Sequence, residues 1–172
     1  MSIAVAEDQG IRIAQESGDG EIFLELWGEY IDTQIEMGSH IIKTDKTMNY
    51  FEDLFHSYID GSLDGVAIFG ADNNAVLMWG ETGNDLPYHH SWGKWANGWG
   101  TYIRPGYRRM GWSKRMREIA RKIMCEQGFD SMMGGIFTYN DIGRKAGPFG
   151  EEIGGNAEPY QETFIIKLGG RK

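Results

Sequence analysis

A single cysteine, Cys125, is present in the sequence, so no disulfide bond can form within the chain. No apolar run approaches the roughly 20 residues that a membrane-spanning helix requires. The first residues, MSIAVAEDQG, lack the charged segment and the apolar segment of a secretion signal. We therefore expect a cytoplasmic protein with no membrane partner.

Positive charge is also scarce, because 17 basic side chains stand against 25 acidic ones and the formal net charge is −8. An acidic surface repels the phosphate backbone of nucleic acids, so we expect no nucleic-acid partner. The basic residues are nevertheless concentrated in one part of the sequence. They are Arg104, Arg108, Arg109, Lys114, Arg115, Arg117, Arg121 and Lys122. This local concentration favours a small polyanionic ligand.

Internal repeats, low-complexity segments and linkers are absent, and the 25 glycines are scattered. With 172 residues, of which 41% are hydrophobic, the chain is long enough to bury about 70% of the surface of its unfolded form. The sequence therefore predicts one domain over residues 1–172. No spacing of histidine, cysteine or carboxylate side chains indicates a metal site, because His89 and His90 are adjacent.

Apolar residues at spacings of three and four predict helices, and short β-prone runs predict strands. The predicted order is helices over 21–37 and 45–60, strands over 66–69, 75–79 and 98–104, a helix over 113–127, a strand over 131–137, a short irregular or helical segment from Asn140, and a strand over 163–168. Thr44 is expected to cap the second helix and Gly61 to end it. The predicted fold class is α/β (α+β), with a mixed, largely antiparallel central sheet flanked by helices.

The connection between the third strand and the third helix has the properties of an anion site. A helix begins with four unpaired amides and carries about half a positive charge at that end. Gly111 leaves room for a ligand near the backbone and can adopt the φ values that let successive amides converge. Arg108 and Arg109 add positive charge, and Ser113 can cap the helix or donate its hydroxyl.

The segment RRMGWS, from Arg108 to Ser113, resembles the R/Q-x-x-G-x-G/A pyrophosphate loop of the GNAT superfamily of acyl-CoA-dependent N-acetyltransferases. The preceding PGYR resembles the usual Pro-Glu-Tyr-Arg lead-in, and the order of elements agrees along nearly the whole chain. Serine replaces the last small residue of the motif and still leaves room for close approach. The resemblance implies a GNAT-like fold with acetyl-CoA as cosubstrate.

The resemblance also implies roles for individual residues. The amides of the loop would bind the pyrophosphate of coenzyme A, and the backbone of Thr101 and Ile103 would pair with the pantetheine arm. The amide of Ile103 would polarise the thioester carbonyl. The loop residues are Arg108, Arg109, Met110, Gly111, Trp112 and Ser113. Asn140 resembles the asparagine that opens the family's fourth helix and is assigned to the same coenzyme site.

The proton donor to the departing thiolate has several candidates. In many members of the family a tyrosine lies about seven residues after that asparagine, but this sequence has Gly147 there. Tyr139 and Tyr160 are alternatives, although each can equally be a packed aromatic residue. Solvent is a further proton source.

The base that accepts a proton from the amine is also open, and it should titrate near neutrality. His89 and His90 have this chemistry, and the alternative is a pair of exposed loop histidines. Glu81, at the end of the second strand, is a further candidate, or else a solvated strand end. Cys125 lies in a helix without a histidine at a readable spacing, so we expect a partly buried structural thiol.

Tryptophans are dense in the middle of the chain. Trp92, Trp95 and Trp99, with Trp79 and Tyr88, can line a pocket for an aromatic or aliphatic amine, or stack on a cation. The alternative is that these aromatic residues belong to the core, and we expect at least one of the first three to be buried. The surplus of negative charge favours a cationic acceptor.

The sequence thus predicts an N-acetyltransferase that transfers an acetyl group from acetyl-CoA to a small-molecule or peptide amine by direct attack in a ternary complex. An alternative is a non-catalytic acyl-CoA-binding or regulatory module with the same fold. A third interpretation is an unrelated α/β protein with an incidental basic loop. The identity of the amine, the acyl chain length and the oligomeric state, for which a homodimer is one alternative, stay open.

Overall fold

The computed structural model describes residues 10–16, 18–37, 39, 41–82, 93–136 and 162–167. These described residues form six strands and three α-helices. In chain order they are β1 Ile11–Ile13, α1 Asp19–Glu36, α2 Asp45–Asp60, β2 Gly65–Gly70, β3 Ala75–Gly80, β4 Trp95–Ile103, α3 Trp112–Glu126, β5 Ser131–Ile136 and β6 Glu162–Lys167. A 3-10 turn, Pro105–Tyr107, lies between β4 and α3.

The six strands form one sheet in which the spatial order follows the chain order from β1 to β6. All neighbouring strands are antiparallel except β4 and β5, which are parallel. The β4–β5 pairing joins residues 95–97 to residues 131–133. The predicted mixed, largely antiparallel sheet flanked by helices is confirmed.

Each face of the sheet packs against different helices. Residues of β2 alternate between the two faces, so that Val66 and Ile68 lie on one side and Ala67 and Phe69 on the other. The first side packs on α3 and the second on α1 and α2. Because β2 and β3 are buried along their whole length, both read as continuous apolar runs in the sequence.

Local signals fix both ends of α2 as predicted, and a glycine follows the end of α3. The Thr44 hydroxyl accepts a hydrogen bond from the Thr47 amide at 3.1 Å, and Gly61 ends α2 with a φ of 77°. Gly128 adopts a φ of 84°, and the Phe129 amide then donates to the Met124 carbonyl at 3.0 Å. The bounds predicted for α2 are those of the structure.

Three sequence predictions are corrected here. Strand β1 was not predicted, because its three residues carry no strong signal and are ordered by pairing with β2. Strand β4 covers Trp95–Ile103 rather than residues 98–104, since pairing with β5 extends its beginning. Helix α3 begins at Trp112, so Ser113 lies within its first turn and is not its cap.

Arg104 joins the end of β4 to α1. Its guanidinium donates to both carboxylate oxygens of Glu29. Nε lies 3.2 Å from Oε1 and 3.0 Å from Oε2, and Nη2 lies 2.6 Å from Oε1. It also bonds to Glu25 and, at 3.2 Å, to the side-chain oxygen of Asn74 in the β2–β3 turn. These hydrogen bonds from Arg104 hold the pKa of Glu29 below its ordinary value. Three elements are therefore tied together at this end of the sheet.

At the other end of β2 and β3, the ring of Tyr58 lies directly on two glycines that face each other, Gly65 and Gly80. A Cβ atom on Gly80 would lie 2.4 Å from Cζ of Tyr58 and 2.7 Å from Cα of Gly65. The close approach of α2 to the sheet therefore requires that Gly80 has no side chain.

Replacing Gly80 by alanine should lower the free energy of unfolding by about 1–3 kcal/mol, because the added methyl group overlaps both a ring and the backbone. Urea denaturation measures this change. Gly106→Ala is the matched control, since a Cβ at Gly106 would have no atom within 4 Å. Equal stability of the two variants would contradict the packing of Tyr58 described above.

Replacing Arg104 by methionine should lower the free energy of unfolding by about 2 kcal/mol at neutral pH, because charge-assisted hydrogen bonds are lost. The depressed pKa of Glu29 means that the ion pair stabilises the fold fully above the ordinary value of 4.5 and less as the pH falls through the folded-state pKa. The deficit of Arg104→Met should therefore shrink on acidification.

Urea denaturation at two pH values tests this dependence. The wild type and Arg104→Met are compared at neutral pH and at roughly pH 3, which is below the ordinary pKa of glutamate. Lys122→Met serves as the control, because Lys122 is exposed on α3 and its loss should change stability by less than about 0.5 kcal/mol. A deficit of the same size at both pH values would argue against a contribution from the ion pair.

Candidate functional site

The free edge of β4 is the first component of the site. The Arg104 amide donates to the Asn74 carbonyl at 3.0 Å. These two residues extend the β3–β4 pairing by one position beyond Ala75 and Ile103. In an antiparallel pair, hydrogen-bonded residues alternate with residues whose N–H and C=O groups point away from the partner. Tyr102 therefore bonds to β3, whereas the backbone groups of Thr101 and Ile103 point towards the β5 side. The described pairing with β5 ends at Asn97, so this side of β4 separates from its neighbour.

The loop that follows β4 has an unusual backbone. Arg109 has a φ of 66° and Gly111 a φ of 81°, so two left-handed residues lie within three positions. Such a conformation turns successive amides toward one point and favours anion binding. A left-handed arginine costs about 1–2 kcal/mol, which is a strain typical of ligand-binding loops. All residues from 105 to 111 are exposed.

The start of α3 is suited to a negatively charged group. Its N-cap residue, Gly111, makes no side-chain hydrogen bond to the helix, and the first turn holds no acidic residue. By contrast, α2 begins with the Thr44 cap and Asp45, and α1 has Asp19 and Glu21 in its first turn. The first helical hydrogen bond joins the Arg115 amide to the Gly111 carbonyl, so the preceding amides, of residues 112–114, have no acceptor within the helix.

Several arginines of the predicted basic cluster already have partners in the protein. Arg104 is held by α1 as described, so the structure removes it from the candidate ligand site. The Nε atom of Arg108 donates to the carbonyl oxygen of Ile103 at 2.9 Å and ties the loop back to β4. Arg109 and Lys114 are exposed beside the start of α3. The local positive charge therefore lies in the loop and on α3.

Trp112 fixes the start of α3 against β1. A Cβ on Gly10 would lie 2.9 Å from Cη2 of the Trp112 ring, so the ring packs directly on the backbone there. The guanidinium of Arg115 lies 4.0 Å from the centre of the same ring. The buried indole Nε1 of Trp112 has no hydrogen-bond partner among the described residues. Sequence reasoning missed this contact because it did not predict β1.

The candidate base Glu81 has structural contacts. Its Oε2 atom accepts a hydrogen bond from the Asp64 amide at 3.2 Å, and its Oε1 atom lies 3.5 Å from Nζ of Lys94. Lys94 also pairs with the Asp64 carboxylate and lies 4.3 Å from the centre of the Phe129 ring. Glu81 thus joins an ion cluster at the beginning of β4, and its role as a base stays a prediction.

Several residues singled out in the sequence lie outside the described part of the chain. They are Tyr88, His89, His90, Trp92, Tyr139, Asn140, Gly147 and Tyr160. The described candidates Thr101, Ile103 and the loop residues 108–113 are consecutive along one path from the free edge of β4 to the first turn of α3. The described cofactor candidates thus share one surface path, and their role stays a prediction.

The predicted tryptophan pocket is corrected. Trp79 is 6% exposed and packs in the cluster under α3, whereas Trp99 packs with α1 and α2 on the opposite face of the sheet. The two side chains cannot line one pocket. Trp95 and Trp99 are both only partly buried, so neither fulfils the expectation of a buried member. Alternation of side chains along β3 and β4 decides which face each residue occupies.

Cys125 is exposed near the end of α3, and not partly buried as expected from its helical position. The apolar stripe of α3 passes through Met116, Ala120, Ile123 and Met124, which leaves Cys125 on the solvent side. Within the described ranges, no group of three His, Cys, Asp or Glu side chains is arranged to hold a metal ion. The same ranges contain no helix long and apolar enough for a bilayer.

The chain resembles known proteins in fold but not in sequence. No protein-family model and no curated protein sequence matches the chain. Solved structures do match. YncA from Salmonella typhimurium, solved with its cofactor acetyl-CoA, has a TM-score of 0.63 at 11% identity, over 94% of this chain and 94% of that one. PaiA N-acetyltransferase from Thermoplasma acidophilum, in complex with coenzyme A, has a TM-score of 0.57 at 14% identity, over 91% of this chain and 98% of that one.

A third match is the spermidine/spermine N-acetyltransferase SpeG from Vibrio cholerae, with a TM-score of 0.56 at 14% identity, over 94% of this chain and 95% of that one. Further matching structures are named as acetyltransferases of the GNAT family. At such low identity the likeness concerns the fold alone. The chain has the fold of the GNAT superfamily.

Proposed function

We propose that this chain, which has the GNAT fold, is an N-acetyltransferase that transfers an acetyl group from acetyl-CoA to an amine. One observation carries the proposal: the free edge of β4 leads directly into a left-handed loop and an uncapped helix start. This arrangement offers backbone donors on the edge of β4 and again at the start of α3, with the 3-10 turn Pro105–Tyr107 between them. Two solved structures that share the fold hold acetyl-CoA or coenzyme A.

The residues present fit a nucleotide-linked thioester. The diphosphate would be bound by the amides of residues 109–113, with Arg109 supplying charge and Gly111 leaving space. A Cβ on Gly111 would have no described atom within 4 Å, so the space above the loop backbone is open. The pantetheine arm carries amides, and it would pair with the backbone groups of Thr101 and the amide of Ile103 on the free edge of β4. The Ile103 carbonyl already accepts from Arg108. Polar groups at strand edges are satisfied in this manner by added strands and extended ligands.

The proposed chemistry is a direct transfer. The amine nitrogen, once neutral, forms a bond to the thioester carbonyl carbon, and the carbon–sulfur bond breaks. The nitrogen releases one proton, and the thiolate takes one up to give free coenzyme A. An amide that points from the free edge of β4 would stabilise the charge that develops on the carbonyl oxygen. Ile103, the residue expected from the sequence, lies at the loop end of that edge. Most of the rate enhancement would then come from positioning and from this polarisation.

The proton carriers are hypotheses within this proposal. His89 and His90 are the candidate bases, Glu81 is the runner-up, and Tyr139 is the candidate acid. The contacts of Glu81 with Lys94 and Asp64 described above support a structural role. His89 and His90 are therefore the better candidates for the base. Asn140 completes the proposed coenzyme site.

Replacing Gly111 by leucine should abolish measurable binding of acetyl-CoA, because the side chain fills the space above the loop amides. The left-handed backbone at Gly111 also predicts a loss of stability of about 1–2 kcal/mol from strain alone. Isothermal titration calorimetry with acetyl-CoA, and urea denaturation, measure the two effects separately.

Gly61→Leu is a matched control for the strain. Gly61 has a φ of 77° against 81° for Gly111, and a Cβ at either position would meet no atom within 4 Å. Both variants should lose similar stability, but only Gly111→Leu should lose coenzyme affinity. Full affinity in Gly111→Leu would refute the coenzyme site. Affinity without transfer to any amine would instead support the non-catalytic acyl-CoA-binding module.

A further inference from the structure

Strand β4 carries one extra residue at Trp99. On the neighbouring strand β3, Met78 pairs with Gly100 and Trp79 pairs with Gly98. Trp99 therefore has no partner residue on β3. A bulge of this type bends a strand and redirects a side chain. Trp99 follows Asn97, the last residue of β4 that pairs with β5, by two positions. The bulge therefore lies where the free edge of β4 begins.

A ligand chain that starts at the loop of residues 108–113 and follows this free edge ends at the bulge. From Ile103 to Trp99 the strand spans about 13 Å, at about 3.3 Å per residue. Beyond Trp99, the pairing with β5 closes the edge. The reactive end of a bound thioester is thus expected next to Trp99, and a second substrate must approach it there.

Trp99 belongs to a cluster of four aromatic residues, in which its ring contacts Tyr50 and Phe51 and its carbonyl is bonded to Tyr30. The ring centres of Tyr50 and Phe51 lie 5.9 and 5.8 Å from that of Trp99, both in edge-to-face contact. The Tyr30 hydroxyl donates to the Trp99 carbonyl at 3.5 Å, and burial raises the pKa of Tyr30 to about 12. Tyr50 is 45% exposed and Trp99 is half-buried, so the cluster offers ring surface to a ligand.

Two hydrogen bonds through Tyr58 fix the orientation of the Trp99 side chain. Its indole Nε1 donates to the Tyr58 hydroxyl at 2.9 Å, and that hydroxyl donates to the Glu81 carbonyl at 2.6 Å. The Tyr58 ring is held on Gly65 and Gly80, and burial raises the pKa of Tyr58 above its ordinary range. The hydroxyl therefore stays protonated and keeps both bonds. A preorganised aromatic surface binds a ligand at a lower entropic cost.

The charges near α1 disfavour a polyamine as the occupant. A polyamine needs carboxylates for its distal ammonium groups. Glu25 and Glu29 share Arg104, and Asp32 is 2.6 Å from Nζ of Lys43, so these three carboxylates of α1 bind a polyamine less well. The four members of the aromatic cluster are uncharged. Ring faces and edges favour an apolar or aromatic body, which gains contact area and aromatic geometry there.

We propose that the acceptor is a primary amine carried on an aromatic ring by a short alkyl chain, with the ring packed against Tyr50 and Trp99. This inference rests on the proposed function, since the amine would react with the thioester held along β4. The nitrogen–carbon bond forms and the carbon–sulfur bond breaks as in the transfer described above. Tyr58 is a positioning residue that acts through Trp99.

Thiol release from acetyl-CoA, with 2-phenylethylamine, spermidine and a short peptide as acceptors, tests the acceptor class. We expect kcat/KM for 2-phenylethylamine to exceed that for spermidine and for the peptide by at least about tenfold. Tyr50→Ala should lower kcat/KM for 2-phenylethylamine by about tenfold, mainly through KM. Calorimetry should find acetyl-CoA affinity unchanged within about twofold in this variant.

Two further variants separate ring contact from other effects. Tyr50→Phe restores the ring and should recover most of the kcat/KM that Tyr50→Ala loses, whereas a role of the hydroxyl predicts no recovery. Ile42→Ala truncates an apolar side chain that is 74% exposed and lies outside the cluster. This variant should leave unchanged both kcat/KM for 2-phenylethylamine and the affinity for acetyl-CoA. Circular dichroism and urea denaturation verify that each variant is folded.

The outcomes distinguish this inference from the proposed function. A preference for spermidine or the peptide, or an equal loss for all amines in Tyr50→Ala, overturns the acceptor class while acetyl transfer stands. Binding of acetyl-CoA without transfer to any of the three amines overturns the acceptor class and favours the non-catalytic alternative. Absence of acetyl-CoA binding in the wild type overturns the proposed function and this inference with it.

Discussion

The unequal pairing of β4 is the constraint on which the rest of the site depends. One edge of this strand is bonded to β3 as far as Arg104, while the described pairing on the other edge stops at Asn97. The alternation of hydrogen bonds then leaves the groups of Thr101 and Ile103 directed to the open side. Since backbone groups need partners, an edge of this kind inside a sheet is suited to an extended ligand. After the 3-10 turn, the start of α3 offers a second set of amides without an acceptor in the helix.

Ion clusters at both ends of β4 keep this geometry in place. Lys94 joins the beginning of the strand to Asp64 and Glu81, and Arg104 joins its end to Glu25 and Glu29. Each cluster connects elements that are distant in sequence, so it fixes the strand relative to α1 and to the β2–β3 pair. Several of the chain's surplus carboxylates thus have structural partners. The acidic net charge therefore says less about the substrate than composition alone indicates.

Local signals made much of this fold predictable, and long-range contacts account for the rest. Thr44 and Gly61 set the bounds of α2 because caps act within one turn. The loop 108–113 was recognisable because its glycine and basic residues are consecutive in the sequence. Arg104, however, was assigned to the polyanion site, since nothing near it in sequence reveals Glu25 and Glu29. Contacts between residues about 75 positions apart follow from the tertiary fold.

The aromatic cluster was missed for the same reason. Tyr50 and Trp99 are brought together by the packing of α2 on the sheet, and the bulge that redirects Trp99 exists only in the pairing of β3 with β4. The density of tryptophans suggested an aromatic pocket, but sequence density does not say which face a residue occupies. Trp79 and Trp99 were grouped together although they lie on opposite faces. The residues that line one pocket can therefore be identified only when the register of the strands is known.

The backbone of the loop argues that it is shaped for a ligand. A chain optimised for stability would place glycine at position 109 and would begin α3 with an extended capping residue, as Thr44 begins α2. Instead, an arginine occupies the left-handed position 109, at a cost of about 1–2 kcal/mol, and the glycine stands where no side chain can cap α3. Each departure leaves amides available or adds charge beside them. Strain and unpaired donors in the same short, exposed segment are explained together if an anion completes the helix start.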